Sequence, residues 1–227
     1  MIKAVIFDLD NTLIDFLKLK RMCCEKAISA MVASGLEISK QKSMKILYSL
    51  YSKYGIENPT IFQKFLEQTT GKVDYQKLAR AINAYRRARI GVLTPYPGVK
   101  NTLTILKKRG LKLAIVSDAP KLNAWLRLTG MELDDFFDVV VAFEDTGREK
   151  PSRLPFRAAL RQLNVKPSEC LMVGDRPDRD MKGAKGLGIK TCLARYGQGV
   201  KGKGDFEIDK FGDLLQIIEI ECGGGQK

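Results

Sequence analysis

After residue 98 the sequence alternates between short apolar runs and longer segments that carry apolar residues at helical spacing. Runs that are apolar throughout are typical of strands buried on both faces of a sheet. Strands that alternate with helices predict a parallel sheet connected by right-handed crossovers. The predicted strands are 111–117, 139–143, 170–175, 190–194 and 206–208, and the predicted helices are 100–109, 122–128, 155–163, 180–186 and 211–219. The expected fold is therefore α/β, with a Rossmann-like parallel sheet as its core.

The first strand of this sheet is expected at the very start of the chain. Residues 2–7 are apolar apart from Lys3, and Asp8 follows them directly. This segment is too short and is charged too early for a signal peptide, so we interpret it as a buried strand of a cytoplasmic protein. No apolar run reaches membrane-spanning length, and a membrane partner is therefore not expected.

Residues 16–91 differ in character from the sequence on either side. They show no strand-like alternation, and glycine and proline separate segments that have helical periodicity. The predicted helices of this insert are 16–33, 39–54, 60–69 and 75–90. The expected domain organisation is a catalytic core formed by residues 1–15 and 92–227, into which an all-helical domain of residues 16–91 is inserted.

The chain contains no histidine, and its five cysteines include no CxxC pair. The absence of histidine excludes Ser-His-Asp triads and histidine metal sites, so acids, bases and metal ligands are expected to come mainly from carboxylates. The cysteines are expected to be reduced, buried thiols. The formal net charge of +13 attracts anions, which include nucleic acids and small phosphates. Because the basic residues are spread along the chain, a basic nucleic-acid-binding protein is only the alternative, and no nucleic-acid partner is expected.

Polar residues stand where several of the predicted strands end. Asp8 and Asp10 follow the first strand, Ser117 and Asp118 follow the apolar part of the second, and Asp175 ends the fourth. Ligands bind beyond the carboxyl ends of the strands in an open parallel sheet, so these side chains are expected to converge. Two carboxylates two residues apart in extended chain point the same way and repel each other unless a cation or a shared proton intervenes.

A calcium-binding loop of the EF-hand type is one alternative for Asp8 and Asp10. Such a loop requires glycine at its sixth position and glutamate at its twelfth, where this chain has Leu13 and Leu19. A helix cap or a turn is the other alternative for any single aspartate at a strand end. The combination of several such residues at one end of one sheet favours a functional site.

Four motifs, in order along the chain, resemble those of the haloacid dehalogenase superfamily. Residues 7–13, Phe-Asp-Leu-Asp-Asn-Thr-Leu, resemble the first motif, DxDx[TV]; Ser117 after an apolar strand resembles the second, and Lys150 before Pro151 the third. Residues 174–180, Gly-Asp-Arg-Pro-Asp-Arg-Asp, resemble the fourth, GDxxxxD. The helical insert is similar to a C1-type cap of that family, and the layout is similar to small archaeal phosphatases, among them those acting on glyceraldehyde 3-phosphate.

The resemblance implies a Mg²⁺-dependent phosphatase that hydrolyses a small phosphorylated metabolite. Asp8 would be the nucleophile that forms an aspartyl-phosphate, and Asp10 the general acid and base. Ser117 and Asp118 would bind the phosphate, and Lys150 would offset negative charge on it and on Asp8. The implied metal ligands are Asp8, the backbone carbonyl of Asp10, and Asp175, with Asp180 acting through water or through Lys150.

Two positions complicate this assignment. Asp118 stands where asparagine is common in the family, and its carboxylate adds a negative group near the phosphate. Arg148 lies two residues before Lys150, although the Lys-Pro spacing favours Lys150. Asp10 argues against the dehalogenase branch, which lacks a second aspartate there and uses no metal. A phosphomutase of the same family shares all these residues and stays open as the alternative function. The expected oligomeric state is a monomer or a homodimer.

Two glycine-rich segments are not expected to take part in chemistry. Residues 197–204 lack the GxxxxGK[ST] spacing of a phosphate-binding loop and do not lead from a strand directly into a helix. They are expected to form a mobile surface loop, and residues 223–227 a frayed tail.

Overall fold

A computed structural model of the chain describes residues 1–197 and 201–223. The expectations of a mobile loop at 198–200 and of a frayed tail at 224–227 therefore lie outside the described residues. The chain divides into two compact units, one formed by Met1–Asp15 with Thr94–Lys227 and the other by Phe16–Leu93. The strands are β1 (Ala4–Phe7), β2 (Lys112–Val116), β3 (Val139–Val141), β4 (Cys170–Gly174), β5 (Lys190–Ala194) and β6 (Phe206–Ile208). The helices are α1 (Phe16–Val32), α2 (Lys40–Tyr54), α3 (Ile61–Thr70), α4 (Tyr75–Val92), α5 (Val99–Lys108), α6 (Lys121–Gly130), α7 (Phe143–Thr146), α8 (Arg153–Leu163), α9 (Lys182–Lys185) and α10 (Leu214–Gly223).

All strands of the first unit pair in parallel, in the order β3-β2-β1-β4-β5-β6. The predicted α/β fold with a Rossmann-like parallel sheet is confirmed. The chain runs from β1 outward through β2 to β3 and then returns to β4 on the other side of β1. A crevice forms at such a reversal, beyond the carboxyl ends of the two strands that flank it. In this sheet those strands are β1 and β4.

Both faces of the sheet are covered, which explains why β1 is apolar at every position. Ala4 and Ile6 lie in one buried cluster with Phe156 and Leu160 of α8. Phe7 points to the opposite face, where its ring centroid lies 5.6 Å from that of Phe211. Burial on both sides fixes the position of the strand, and with it the position of the residues that follow Phe7.

The second unit consists of α1 to α4 and has its own apolar core. Its largest fully buried side chains include Ile28, Met31, Leu47 and Phe65. The side chains of Ser39 and Asp74 cap α2 and α4 by accepting the backbone N–H groups of Lys42 and Lys77. Among the residues described, no helix is both long and apolar enough to cross a bilayer.

Two predicted elements of the first unit are wrong in their bounds. The strand predicted at 139–143 ends at Val141, because Asp145 accepts the backbone N–H of Ala142 at 2.9 Å and starts the short helix α7. The helix predicted at 180–186 is a π-helical turn, Pro177–Met181, followed by α9. The Asp180 carboxylate accepts the backbone N–H of Arg176 at 3.0 Å, which stabilises this turn.

Candidate active site

The residues predicted from the strand ends lie at the carboxyl edge of the sheet. Asp8 follows β1, Ser117 follows β2 and Asp175 follows β4, and β1 pairs with both of the other strands. Phe7 is in register with Ile115 of β2 and with Val173 of β4. Asp8 therefore lies between the two neighbouring strand ends, at the reversal of the sheet.

Lys150 connects the aspartates of this edge. Its Nζ lies 2.6 Å from Oδ1 of Asp8 and 2.7 Å from Oδ1 of Asp180, and it donates to the carbonyl oxygen of Val116 at 3.0 Å. The ammonium group donates hydrogen bonds to Asp8 and to Val116, and it forms an ion pair with Asp180. Lys150 is 4% exposed, whereas Arg148 is exposed. Lys150, and not Arg148, is therefore the basic residue buried beside Asp8.

The burial of this cluster perturbs both ionisable partners. Desolvation raises the pKa of Asp8 well above its ordinary value, Lys150 opposes that rise, and the carboxylates of Asp180 and Asp175 add to it. Burial alone would lower the pKa of Lys150, but the carboxylates of Asp180 and Asp8 raise it above its ordinary value. The lysine stays charged, and the nucleophile candidate lies in an environment with an excess of negative charge.

Three carboxylates of the site are close enough to share a cation. Oxygens of Asp8, Asp175 and Asp180 all lie within 4.8 Å of one another, and all three residues are buried. The donors are carboxylate oxygens without nitrogen or sulfur, which is the set that hard cations such as Mg²⁺ prefer. Within this cluster Asp8 and Asp180 are both ion-paired with Lys150, and Oδ2 of Asp180 also accepts the backbone N–H of Arg176. A Mg²⁺ ion fits this donor set.

Gly174 makes room for Asp180 beneath the site. A Cβ built on Gly174 would overlap the carboxylate of Asp180. Asp180 is fully buried, and the loop between these residues folds back over the end of β4. The glycine of the GDxxxxD pattern is therefore required by packing, since a side chain there would displace the partner of Lys150.

Asp118 turns its carboxylate toward backbone and cationic partners. Oδ1 accepts the backbone N–H of Lys150 at 2.8 Å, and Oδ2 lies 3.0 Å from Nη1 of Arg179. Ser117 is 4% exposed, and its Oγ accepts the backbone N–H of Ala119 at 3.1 Å. The extra negative group in the second motif is thus already paired, and it ties the loops after β2, before α8 and after β4 together.

The carboxylate of Asp10 pairs with an arginine. Nη1 of Arg127 lies 3.0 Å from Oδ2 of Asp10, and the two side chains are 7% and 22% exposed. The sequence analysis missed Arg127. One signal was available, because Arg127 shares the buried face of α6 with Ala124 and Leu128, where an apolar residue is expected.

Tyr196 and Gly197, at the start of the glycine-rich stretch, pack against the first and fourth motifs. The hydroxyl of Tyr196 donates to the carbonyl oxygen of Thr12 at 2.9 Å. A Cβ on Gly197 would overlap Cβ of Asp175 and lie 2.5 Å from the carbonyl oxygen of Asn11. The start of this stretch is therefore part of the wall of the site, which the prediction of a mobile surface loop did not foresee.

Comparison with known proteins agrees with the motifs. The model of the haloacid dehalogenase-like hydrolase family matches residues 2–188. Glyceraldehyde 3-phosphate phosphatase of Pyrococcus furiosus is 33% identical over 100% of this chain and 97% of its own, and that of Methanopyrus kandleri is 36% identical over 96% and 97%. A crystal structure of a putative beta-phosphoglucomutase from Thermotoga maritima has the same fold, with a TM-score of 0.76, 23% identity and coverage of 96% and 99%. The resemblance inferred from the motifs is confirmed: the chain belongs to the haloacid dehalogenase-like hydrolase family, within which it is a phosphatase.

Proposed function

We propose that this phosphatase depends on Mg²⁺ and hydrolyses a small phosphorylated metabolite through an aspartyl-phosphate on Asp8. The observation that carries the proposal is the position of the Lys150 ammonium, 2.6 Å from Asp8 and 2.7 Å from Asp180, beside the buried carboxylate of Asp175. A carboxylate nucleophile next to a fixed cation is suited to attack on a dianionic phosphate monoester, because the cation offsets the repulsion between the two anions.

In the first half of the proposed reaction Asp8 attacks the phosphorus atom. A bond forms between its carboxylate oxygen and phosphorus while the bond to the substrate oxygen breaks. Asp10 donates a proton to the departing oxygen, which leaves as an alcohol. The hydroxyl of Ser117 and the backbone N–H of Asp118 bind oxygens of the transferred group, and Lys150 offsets their charge.

In the second half water cleaves the aspartyl-phosphate. Asp10, now ionised, removes a proton from the water as its oxygen attacks phosphorus, and Asp8 leaves as a carboxylate. Inorganic phosphate is released, and Asp10 is again protonated for the next cycle. Asp180 orients Lys150 through both half-reactions, because its fully buried carboxylate is ion-paired with the ammonium group.

The metal is proposed to bind at the carboxylates of Asp8 and Asp175 and the backbone carbonyl of Asp10. A bound Mg²⁺ supplies positive charge that stabilises the oxygens of the transferred phosphoryl group. The remaining excess of negative charge in the Asp8, Asp175 and Asp180 cluster supports this proposal, since Lys150 supplies only one positive charge. Asp175 is 2% exposed, so its carboxylate is fixed by its surroundings before any ion binds.

The substrate is proposed to be a small molecule, with triose phosphates as the first candidates. Relatives that are 33% and 36% identical over nearly the full chain bear the name glyceraldehyde 3-phosphate phosphatase, which supports this choice. In the same proposal residues 16–91 act as the cap that selects the substrate of the core. A panel of triose, sugar and glycolate phosphates, compared with phosphopeptides and end-phosphorylated DNA, tests the class, and we expect the small substrates to be hydrolysed far faster.

The metal proposal is tested with p-nitrophenyl phosphate. We expect hydrolysis that stops in EDTA and returns with excess Mg²⁺, and a variant Asp175→Asn that requires more Mg²⁺ for half of its maximal rate. Asp178→Asn, which removes an exposed carboxylate of the same loop, serves as the control and should keep the Mg²⁺ requirement. Full activity in EDTA would contradict the proposal. Release of inorganic phosphate from a sugar phosphate, without its rearrangement, separates a phosphatase from the phosphomutase alternative.

A further inference from the structure

Arg127 has no role in the reaction described above, although its guanidinium is buried against the proposed general acid. Nη1 of Arg127 lies 3.0 Å from Oδ2 of Asp10, and the arginine side chain is only 7% exposed. Removing a guanidinium from water is costly unless it is paired and hydrogen-bonded. An ion pair on the open surface contributes little, but one that is this well shielded holds its two side chains firmly in place.

The scaffold makes Arg127 a rigid partner for Asp10. It lies in α6, which begins at Lys121, directly after the loop that carries Ser117. Its backbone carbonyl accepts the N–H of Met131 at 3.0 Å, so the residue belongs to the last hydrogen-bonded turn of the helix. Ala124 and Leu128 on the same helix face are fully buried and anchor that face. The guanidinium therefore reaches Asp10 from a packed helix and not from a loop.

The contact with Arg127 fixes the orientation of the Asp10 carboxyl group through Oδ2. A protonated carboxyl group keeps one oxygen that accepts hydrogen bonds, so Oδ2 can accept from Arg127 in both protonation states of Asp10. General acid–base catalysis depends on such positioning, because the proton must pass between atoms held within hydrogen-bond distance.

We propose that Arg127 is a positioning residue that holds the Asp10 carboxyl group in the orientation required for proton transfer to and from the substrate oxygen. This inference depends on the proposed role of Asp10 as general acid and base. Two other roles are open to a buried arginine at this place. It can support the fold alone, or it can bind a second anionic group of the substrate, and each role gives a different kinetic result.

The test uses leaving groups of different basicity. An aryl oxygen such as that of p-nitrophenol leaves as a stable anion and needs little protonation, whereas an alkyl oxygen needs a proton from Asp10. We expect Arg127→Met to lower kcat/KM for glycerol 3-phosphate roughly 100-fold, within the range for loss of a general acid, and that for p-nitrophenyl phosphate less than about 10-fold. Arg127→Lys should recover part of the loss. Lys121→Met, which removes an exposed ion pair with Asp145 from the same helix, should change neither value.

Several outcomes would overturn the proposal. Equal losses on the aryl and alkyl substrates would show that Arg127 only supports the fold, and unchanged kinetics would show that it has no role. A loss confined to 3-phosphoglycerate, with glycerol 3-phosphate unaffected, would show that it binds a second anion of the substrate. The activity of Asp10→Asn separates a failure of the proposed function from a failure of this inference. If Asp10→Asn keeps full activity, the proposed function is wrong. If Asp10→Asn is inactive but Arg127→Met is unimpaired, only the role of Arg127 is wrong.

Discussion

The carboxylate of Asp118 accepts the backbone N–H of Lys150 at 2.8 Å and thereby ties the loop after β2 to the loop that carries the lysine of the site. Its second oxygen lies 3.0 Å from Nη1 of Arg179, which in turn lies 3.2 Å through Nη2 from Glu149. Asp118, which departs from the common pattern of the second motif, thus connects three loops of the site. Because Arg179 forms an ion pair with Asp118, the negative charge of Asp118 near the phosphate is compensated.

The first prediction concerns the contacts of Asp118. Asp118→Ala leaves the backbone N–H of Lys150 without its acceptor, at a cost of about 1–3 kcal/mol, and we expect kcat to fall roughly 10- to 100-fold. Asp118→Asn keeps an oxygen acceptor and should lose much less. Arg179→Met removes the partly exposed ion pairs with Asp118 and Glu149 but keeps the acceptor for the Lys150 N–H, so kcat should fall less than in Asp118→Ala. Steady-state kinetics on p-nitrophenyl phosphate gives kcat for all three variants. An Asp118→Ala enzyme with wild-type kcat would show that the contacts of Asp118 are not needed for activity.

The second prediction concerns Gly197. A Cβ at this position would overlap Cβ of Asp175, so Gly197→Ala should displace a proposed metal ligand and raise the Mg²⁺ concentration needed for half-maximal activity. The increase in Tm that Mg²⁺ produces should shrink in the same variant, which provides a readout independent of turnover. Gly91→Ala is the matched control, because its Cβ would have no neighbour within 4 Å in helix α4. Equal Mg²⁺ responses of the two variants would contradict the assigned contact.

The third prediction follows from the raised pKa of Asp8, which burial causes. A carboxyl group with a higher pKa in the folded than in the unfolded protein binds its proton more tightly when folded, so stability falls as the pH rises through these values. Asp8→Asn has no carboxyl group at this position, so its stability does not fall with pH for this reason. Without metal it should therefore have a higher Tm than wild type near neutral pH, and the difference should vanish as the pH falls below the ordinary aspartate pKa of about 4.

The control for this prediction is Asp178, whose pKa is lowered, chiefly by its hydrogen bond with Arg176. Its substitution by asparagine removes a favourable exposed charge and should leave Tm unchanged or slightly lower at neutral pH. A metal-free Asp8→Asn protein that melts below wild type at neutral pH would show that Lys150, once deprived of one partner, dominates the balance of charges.

Sequence patterns predicted which residues meet at the candidate site because strand ends can be recognised from local composition. Asp8, Ser117 and Asp175 each follow a run that is buried on both faces, and the parallel order of the strands brings these ends together. The partner of Asp10 could not be predicted in this way. Arg127 is separated from Asp10 by 117 residues, and only the packing of α6 decides which side chain it reaches.

Local propensity also failed where a side chain competes with the backbone. The predicted helix at 180–186 overlooked the capture of the Arg176 N–H by Asp180, which produces the π-helical turn Pro177–Met181. Gly197 allows two distant segments to approach each other closely, whereas composition alone predicts that the same glycine lies in a surface loop. A local side-chain contact outweighed helical propensity in the first case, and a tertiary contact outweighed composition in the second.

The covalent intermediate is the central claim, and its chemical identification tests the claim most directly. Enzyme that is turning over substrate is stopped with acid and treated with borohydride, which reduces an acyl phosphate of aspartate to homoserine, and the peptides are sequenced by mass spectrometry. We predict homoserine at position 8, absent from Asp8→Asn and from enzyme without substrate. Phosphate on Ser117 or on any other residue, or active enzyme with an unmodified Asp8 throughout turnover, would contradict the account.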